Sequence, residues 1–316
     1  MAAVLGFTVV DGVPAYAAPT STRLPDGAFE SASDDPVPVP AGPAEAPSSV
    51  PAGPAVPWSA SLTPEQVQAV EDLKAQTDAL TMAAKTGKAV EIASRTTENS
   101  ISFAQPSGAV KVESSAGPVR TKQAGVWVPV DTTLEFAGAG VRPKAVTGEI
   151  TFSGGGTDTP MAVLGDGADT SLKLHWKGAL PKPTLTGDTA TYANVLPRVD
   201  LVLTATRQGF IQHLVVKQRP DANTLAALGA LQFPLDSSGA TVKQADGAHL
   251  EVRKGSEVVG AANAPVMWDA RMDRASGNPA VIRPIGMDLA PASQAGTDAT
   301  VVLTPPTAFL TDPTTV

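Results

Sequence analysis

Beyond Val90 the chain is broken about every ten residues by Gly, Pro, Asn or Asp, and short Val- and Thr-rich runs stand between the breaks. Runs this short bury a face only by pairing sideways, so the spacing predicts an all-β sandwich or barrel of antiparallel strands. The expected strands cover residues 101–105, 109–113, 118–122, 126–130, 149–153, 172–176, 189–193, 199–206, 210–217, 231–235, 240–244, 249–253, 257–260, 280–287 and 300–304. Turns such as "QPSG", "KQAG", "RQG", "DSSG" and "ADGA" place Gly where a positive φ is needed. Within the longest ordered stretch, Val199, Leu201, Leu203 and Ala205 alternate with Asp200, Val202, Thr204 and Thr206. One face is therefore apolar and Asp200 points away from the core. A return strand carries His213 and Lys217 on one face and Phe210, Leu214 and Val216 on the other. This hairpin accounts for Asp200, Arg207 and His213 without catalysis.

One helix precedes the strands. In "SLTPEQVQAVEDLKAQTDALTMAAKTG", Thr63 is the N-cap, Pro64 takes the first helical position, Gln66 closes a capping box and Gly87 stops the helix. Val70, Leu73, Thr77, Leu80 and Ala84 form its expected apolar stripe. Upstream, residues 18–60 are largely Pro, Ala, Ser and Gly and offer few large apolar side chains to offset ordering entropy. They are expected to be a disordered, extended linker. Residues 1–17 resemble a secretory signal: an apolar run from Ala2 to Val10, then Ala15-Tyr16-Ala17 as a cleavage triplet. No Lys or Arg precedes that run, so the true start is expected upstream of Met1. The expected organisation is thus signal at 1–17, linker at 18–60, amphipathic helix at 61–87 and β-rich domain at 95–316, with a boundary between two subdomains near 220–235.

A formal charge of −8 argues against a nucleic-acid surface, which needs clustered Lys and Arg. No run is long and apolar enough to be a transmembrane segment. The absence of cysteine excludes disulfides, Cys-based zinc sites and thiol nucleophiles. Nucleophile-elbow, phosphate-loop, dinucleotide-binding and zinc-protease motifs are missing, so no residue is expected to be catalytic, no metal to be bound and no cofactor to be needed. His175, His213 and His249 are isolated along the sequence and are expected to be strand residues. "GDGADT" at Gly165 to Thr170 lacks a calcium loop's spaced oxygen ligands and reads as a hairpin turn. Trp176 and Trp268 are the two candidate ligand-binding residues, as stacking platforms for a sugar ring.

The segments "AAKTGKAVEIASRTTENSISFAQPSGAVKVESSAGPVRTKQAGVWVPVDTTL", "ITFSGGG", "ATYANVLPRVDLVLTATRQGFIQHLVVK" and "APVMWD" resemble the shared N-terminal region of large secreted actinobacterial proteins. Such proteins carry LamG-like jelly-roll domains, DNRLRE modules or RHS repeats ending in a polymorphic toxin. The resemblance spans residues 83–316 and is most specific at "GVWVPVDTTL" and "LPRVDL". It implies a non-catalytic extracellular scaffold or presentation module, secreted or at the cell surface, whose partners are downstream modules of the same polypeptide. It also implies that the chain is cut short. A carbohydrate-binding module that meets extracellular glycan is the alternative, and a secreted hydrolase using Asp200 and His213 a second.

Overall fold

The computed structural model describes residues 2–9, 63–157, 159–245 and 249–315. With 48% strand and 16% helix, the chain is mostly β and antiparallel throughout, as expected. Residues 18–60 and the expected cleavage point after Ala17 lie outside the described residues.

Two large sheets form the body. The ten-stranded first sheet runs Thr184–Thr186, Thr189–Leu196, Val199–Ala205, Gly209–Val216, Ala2–Val9, Glu257–Ala262, His249–Lys254 and Thr241–Ala245. Val266–Trp268 pairs Ala2–Val9 and Ile282–Pro284 beside that path. The eight-stranded second sheet runs Gly286–Pro291, Ala299–Thr304, Leu231–Ser238, Ser171–Leu174, Ala162–Gly165, Glu149–Ser153, Gly140–Ala145 and Asp131–Ala137. Their apolar faces share one core that extends from Leu134 to Leu310. The alternation at 199–205 is realised residue by residue, with Val199, Leu201, Leu203 and Ala205 buried and the intervening positions half-buried. Two contacts pin the sheets together. Phe152 of the second meets Phe210 of the first edge to face at 5.6 Å, and the Tyr192 hydroxyl donates to the Ser153 carbonyl at 2.6 Å.

The segment near 220–235 contributes Leu228, Leu231, Phe233 and Leu235 to the shared core. It holds the helix Ala222–Gly229, capped by Asp221, whose Oδ1 accepts the Thr224 N–H at 2.8 Å. The strand Leu231–Ser238 then enters the interior of the second sheet. Strands from both sides of this segment contribute to both sheets.

A smaller cluster of Ala79, Ala83, Ile92 and Ala104 joins the long helix Pro64–Thr86 to the sheet Val90–Glu91, Ser100–Ala104 and Val110–Ser114. Thr63, Gln66 and Gly87 act at the helix ends as expected: the capping box is closed, and Gly87 takes φ 68°. The stripe differs from expectation. Ala79 and Ala83 are buried and Leu80 half-buried, whereas Val70, Leu73, Thr77 and Ala84 are exposed. Alanines let the helix backbone approach the small sheet closely, and the larger Val67, Val70 and Leu73 of the earlier turns stay exposed.

The turn glycines split. Gly108, Gly125 and Gly239 adopt positive φ, while Gly209 is an ordinary strand residue and Gly247 falls outside the described residues. Gly239 is needed twice over, since at φ 69° a Cβ would also collide with the Asp169 carbonyl.

Candidate functional site

Trp176 follows the Ser171–Leu174 strand, where the His175 N–H donates to the Pro234 carbonyl at 2.8 Å and prolongs the ladder. Its indole is half-buried and tilted against Phe233, ring centroids 5.9 Å apart. Beside it opens a cleft of about 260 Å³ walled by Lys177, Leu196, Ala227, Ala230 and Gln232. The cleft therefore sits where the first sheet, the second sheet and the Ala222–Gly229 helix meet. Its walls are mainly apolar, with one exposed ammonium and one amide. Two other crevices, of about 20 and 10 Å³, hold at most one water.

Trp268 closes the Val266–Trp268 strand and is also half-buried. Its neighbour Met267 enters the core, so the indole lies on the outer face, where the His213 imidazole meets it edge on at 5.9 Å. Burial depresses the His213 pKa. The next residue, Asp269, is fully buried. Arg271 holds it, with Nε donating to Oδ2 at 2.7 Å and the backbone N–H to Oδ1 at 3.1 Å. The "APVMWD" segment thus ends on a buried carboxylate paired with an exposed arginine. Trp176 and Trp268 are not brought together, since they belong to opposite sheets' margins.

Asp200 and His213 share the outer face of one hairpin, at register positions opposite Val215 and Val202. Asp200 Oδ1 accepts from Lys217 Nζ at 2.7 Å and from the Asn194 N–H at 2.8 Å. Partial burial pushes its pKa up, but these hydrogen bonds and the Lys217 charge outweigh it, leaving the carboxyl below its ordinary value. Lys217 Nζ also donates to Asn194 Oδ1 at 3.1 Å. The cluster ties down a tight turn in which Pro197 precedes Arg198 at φ 63°. "LPRVDL" is accordingly a turn with its own lock, and Asp200 and His213 do not bond to each other.

The remaining chemistry-bearing residues are dispersed. Among the described residues, no three His, Asp or Glu side chains converge on a point where a metal ion would sit. Asp166 caps its own loop, accepting the N–H groups of Ala168 and Thr170, and these bonds hold its pKa down at about 2. The "GDGADT" loop is the expected turn. Trp127 lies under Lys122 Nζ, 4.8 Å from the ring centroid, on the short hairpin Arg120–Gln123 and Val126–Pro129. Among the described residues no helix is long and apolar enough to cross a membrane. No protein-family model matches the chain, and no curated protein or solved structure is similar to it.

Sequence reasoning missed the Trp176 cleft as a cavity, because its walls come from four segments between residues 176 and 232. Asp221 in "PDANTLAALG" was a usable signal for the helix that forms one wall, being a preferred N-cap ahead of an apolar run.

Proposed function

We propose that the chain is a non-catalytic extracellular scaffold that presents downstream modules of a larger secreted or cell-surface polypeptide. The observation that carries this reading is the occupation of the polar groups. Asp200 is spent on Lys217 and the Asn194 turn, Asp269 on Arg271, Asp166 on its own loop and His213 on Trp268. Each such group is committed to holding a turn or a strand, which suits a rigid platform. The resemblance of residues 83–316 to secreted actinobacterial N-terminal regions and the signal-like residues 1–17 support an extracellular setting. The purified protein is expected to leave peptidoglycan, polysaccharide and ester substrates unchanged. Reproducible turnover that D200N or H213Q abolishes would refute the scaffold and favour the hydrolase.

A second reading, a glycan-binding module, rests on the Trp176 cleft: a half-exposed indole over an apolar floor, with Lys177 and Gln232 within the same wall. A sugar's apolar face stacks on such a ring while its hydroxyls meet the polar rim. Titration of the protein's tryptophan fluorescence with cell-wall oligosaccharides tests it. Saturable quenching that W176A removes and W268A leaves in place would establish this site. Loss with W268A alone would move the binding to the other tryptophan.

A further inference from the structure

The Ala2–Val9 strand has an unusual place. It lies in the interior of the first sheet, yet residues 10–62 separate it from the next described element. Along one side it pairs with Gly209–Val216, from Ala2 opposite Val215 to Thr8 opposite Gly209. Along the other, Ala2, Ala3 and Val4 pair with Trp268, Met267 and Val266, and Phe7, Thr8 and Val9 with Ala262, Ala261 and Gly260. No ladder joins its two neighbours directly. Removing this one strand would leave two facing rows of unpaired backbone groups, a strand's width apart, in the middle of the sheet. The flanking side chains bridge that gap on the outer face. His213 from one neighbour and Trp268 from the other meet at 5.9 Å, although their strands stand about 10 Å apart, two sheet spacings.

The chemistry of the position can be read from its walls. Residues 3, 5 and 7 are the register partners of the core residues Leu214, Gln212 and Phe210. Residues 2, 4 and 6 are the partners of Val215, His213 and Ile211 on the outer face, across which the His213 and Trp268 rings meet, a contact that suits small side chains beneath it. Gln212 is the exception on the core side. It is 1% exposed, and among the described residues its Oε1 has no hydrogen-bond partner. The register partner of Gln212 is Leu5, which carries no donor. A buried amide oxygen left unbonded is costly, and a Thr or Ser directly opposite is within reach of it.

We propose that this interior position is a strand-acceptor site. Its fitting occupant is an extended peptide strand from another polypeptide segment, antiparallel to Gly209–Val216, with small residues at the first, third and fifth of eight positions and a hydroxyl donor at the fourth, opposite Gln212. Ala2–Val9 occupies the place through its backbone ladders, and its sequence has leucine at the register position opposite Gln212. Main-chain ladders on both sides supply affinity, and the alternating side-chain positions supply selectivity, as in other strand-addition complexes. The exchange is meaningful because the same eight residues have the apolar character of a leader segment; a molecule from which a leader peptidase had removed them would keep the slot and need another strand.

The first test uses the full chain. L5T is expected to have a higher thermal midpoint than its isostere L5V, and the difference is expected to vanish when each is combined with Q212L. An L5T midpoint no higher than that of L5V would overturn the donor requirement. The second test inserts a site-specific protease site between Pro40 and Ala41, cuts the folded protein, removes the released segment under denaturant and refolds the body with synthetic AAVVGFTV, AAVTGFTV or AAVPGFTV. One-to-one binding is expected for the first two, with the Thr peptide tighter by about 5- to 10-fold, the scale of one buried hydrogen bond. No binding is expected for the Pro peptide, which removes an N–H from the ladder. A body that keeps the uncut chain's midpoint and the same amide protection at 209–216 without peptide would overturn the proposal, because the sheet would have closed on itself. Recovery as a dimer would overturn it in favour of exchange between copies. Should the body fail to refold alone, a higher yield with the Thr peptide supports the site and no yield with either peptide overturns it.

Discussion

Arg198 adopts φ 63° directly after Pro197, and this residue shows how specific the "LPRVDL" segment is. Proline at the first central position of a two-residue turn sets a negative φ there and leaves the second to turn left-handed, where Gly or Asn is normally found. An arginine there carries strain of about 1 kcal/mol, offset by Asp200, which binds the Asn194 N–H and Lys217 beside the turn. R198N is therefore expected to stabilise the protein by roughly 0.5 kcal/mol, and D200A to destabilise it by about 1–2 kcal/mol. Urea denaturation of both variants measures these shifts. Tyr192 gives a cleaner case. Its hydroxyl is buried against the Ser153 carbonyl, and burial drives its pKa well above the ordinary phenol value. Y192F should cost about 1–2 kcal/mol by the same measurement while leaving the fold intact, because the ring still fills its place. The outward direction of Asp200 was legible from alternation alone. Its partners were not, since Lys217 lies on the next strand and Asn194 beyond a bulge, where period-two counting loses phase.

Among elements, the long helix separates what local sequence encodes from what packing decides. Thr63, Pro64, Gln66 and Gly87 marked both ends because capping depends on residues three or four positions apart. Which face docks depends on the sheet it meets, and an alanine face won over the Val70 and Leu73 stripe. With Val67, Val70 and Leu73 exposed, the first turns lean on the capping box more than on burial. T63A is expected to raise amide exchange over residues 64–70 while the global unfolding midpoint stays within experimental error; a lowered midpoint would mean those turns belong to the cooperative core. Strands with strong alternation, such as Val199–Ala205, were legible. The hairpin Asp131–Ala137 and Gly140–Ala145 was not, because Pro143, Arg142 and three alanines disguise a ladder that neighbouring strands enforce. Ala2–Val9 was ambiguous for a different reason: a short apolar run followed by a small-residue triplet reads first as a leader, although a buried strand has the same composition.

For the whole molecule, titration should act in two separate windows. Burial lowers the pKa of His213, and burial also lowers that of His175, where Asp236 opposes and Lys173 assists. For each, the unfolded chain takes up a proton first, near pH 6.5. Their stabilising contribution is complete above that value and declines as the pH falls through it toward the folded values. The carboxyls of Asp131, Asp200, Asp221, Asp298 and Asp312 are shifted down, with Asp166 at about 2. Their contribution is present above about pH 4 and is lost only below it. Denaturant midpoints should thus fall between pH 7.5 and 5.5, level off, and fall again below pH 4. H175Q combined with H213Q should flatten the first step alone; an unchanged first step would assign it to other groups.

The pairing of residues near position 5 with residues 209–216 and 260–268 also fixes a timetable. A chain synthesised from its N-terminus exposes the Ala2–Val9 segment long before its ladder partners exist. At roughly 5–20 residues per second, about 200 further residues take some 10–40 seconds. Throughout that interval the segment is an unpaired apolar stretch on a nascent chain, open to any factor that binds one. Once Gly209–Val216 emerges, the sheet competes for it. The destination of these eight residues is therefore set by a race between early capture and late pairing. Ribosome-stalled chains ending before residue 209 should leave them accessible to protease, and chains stalled well beyond residue 268 should protect them.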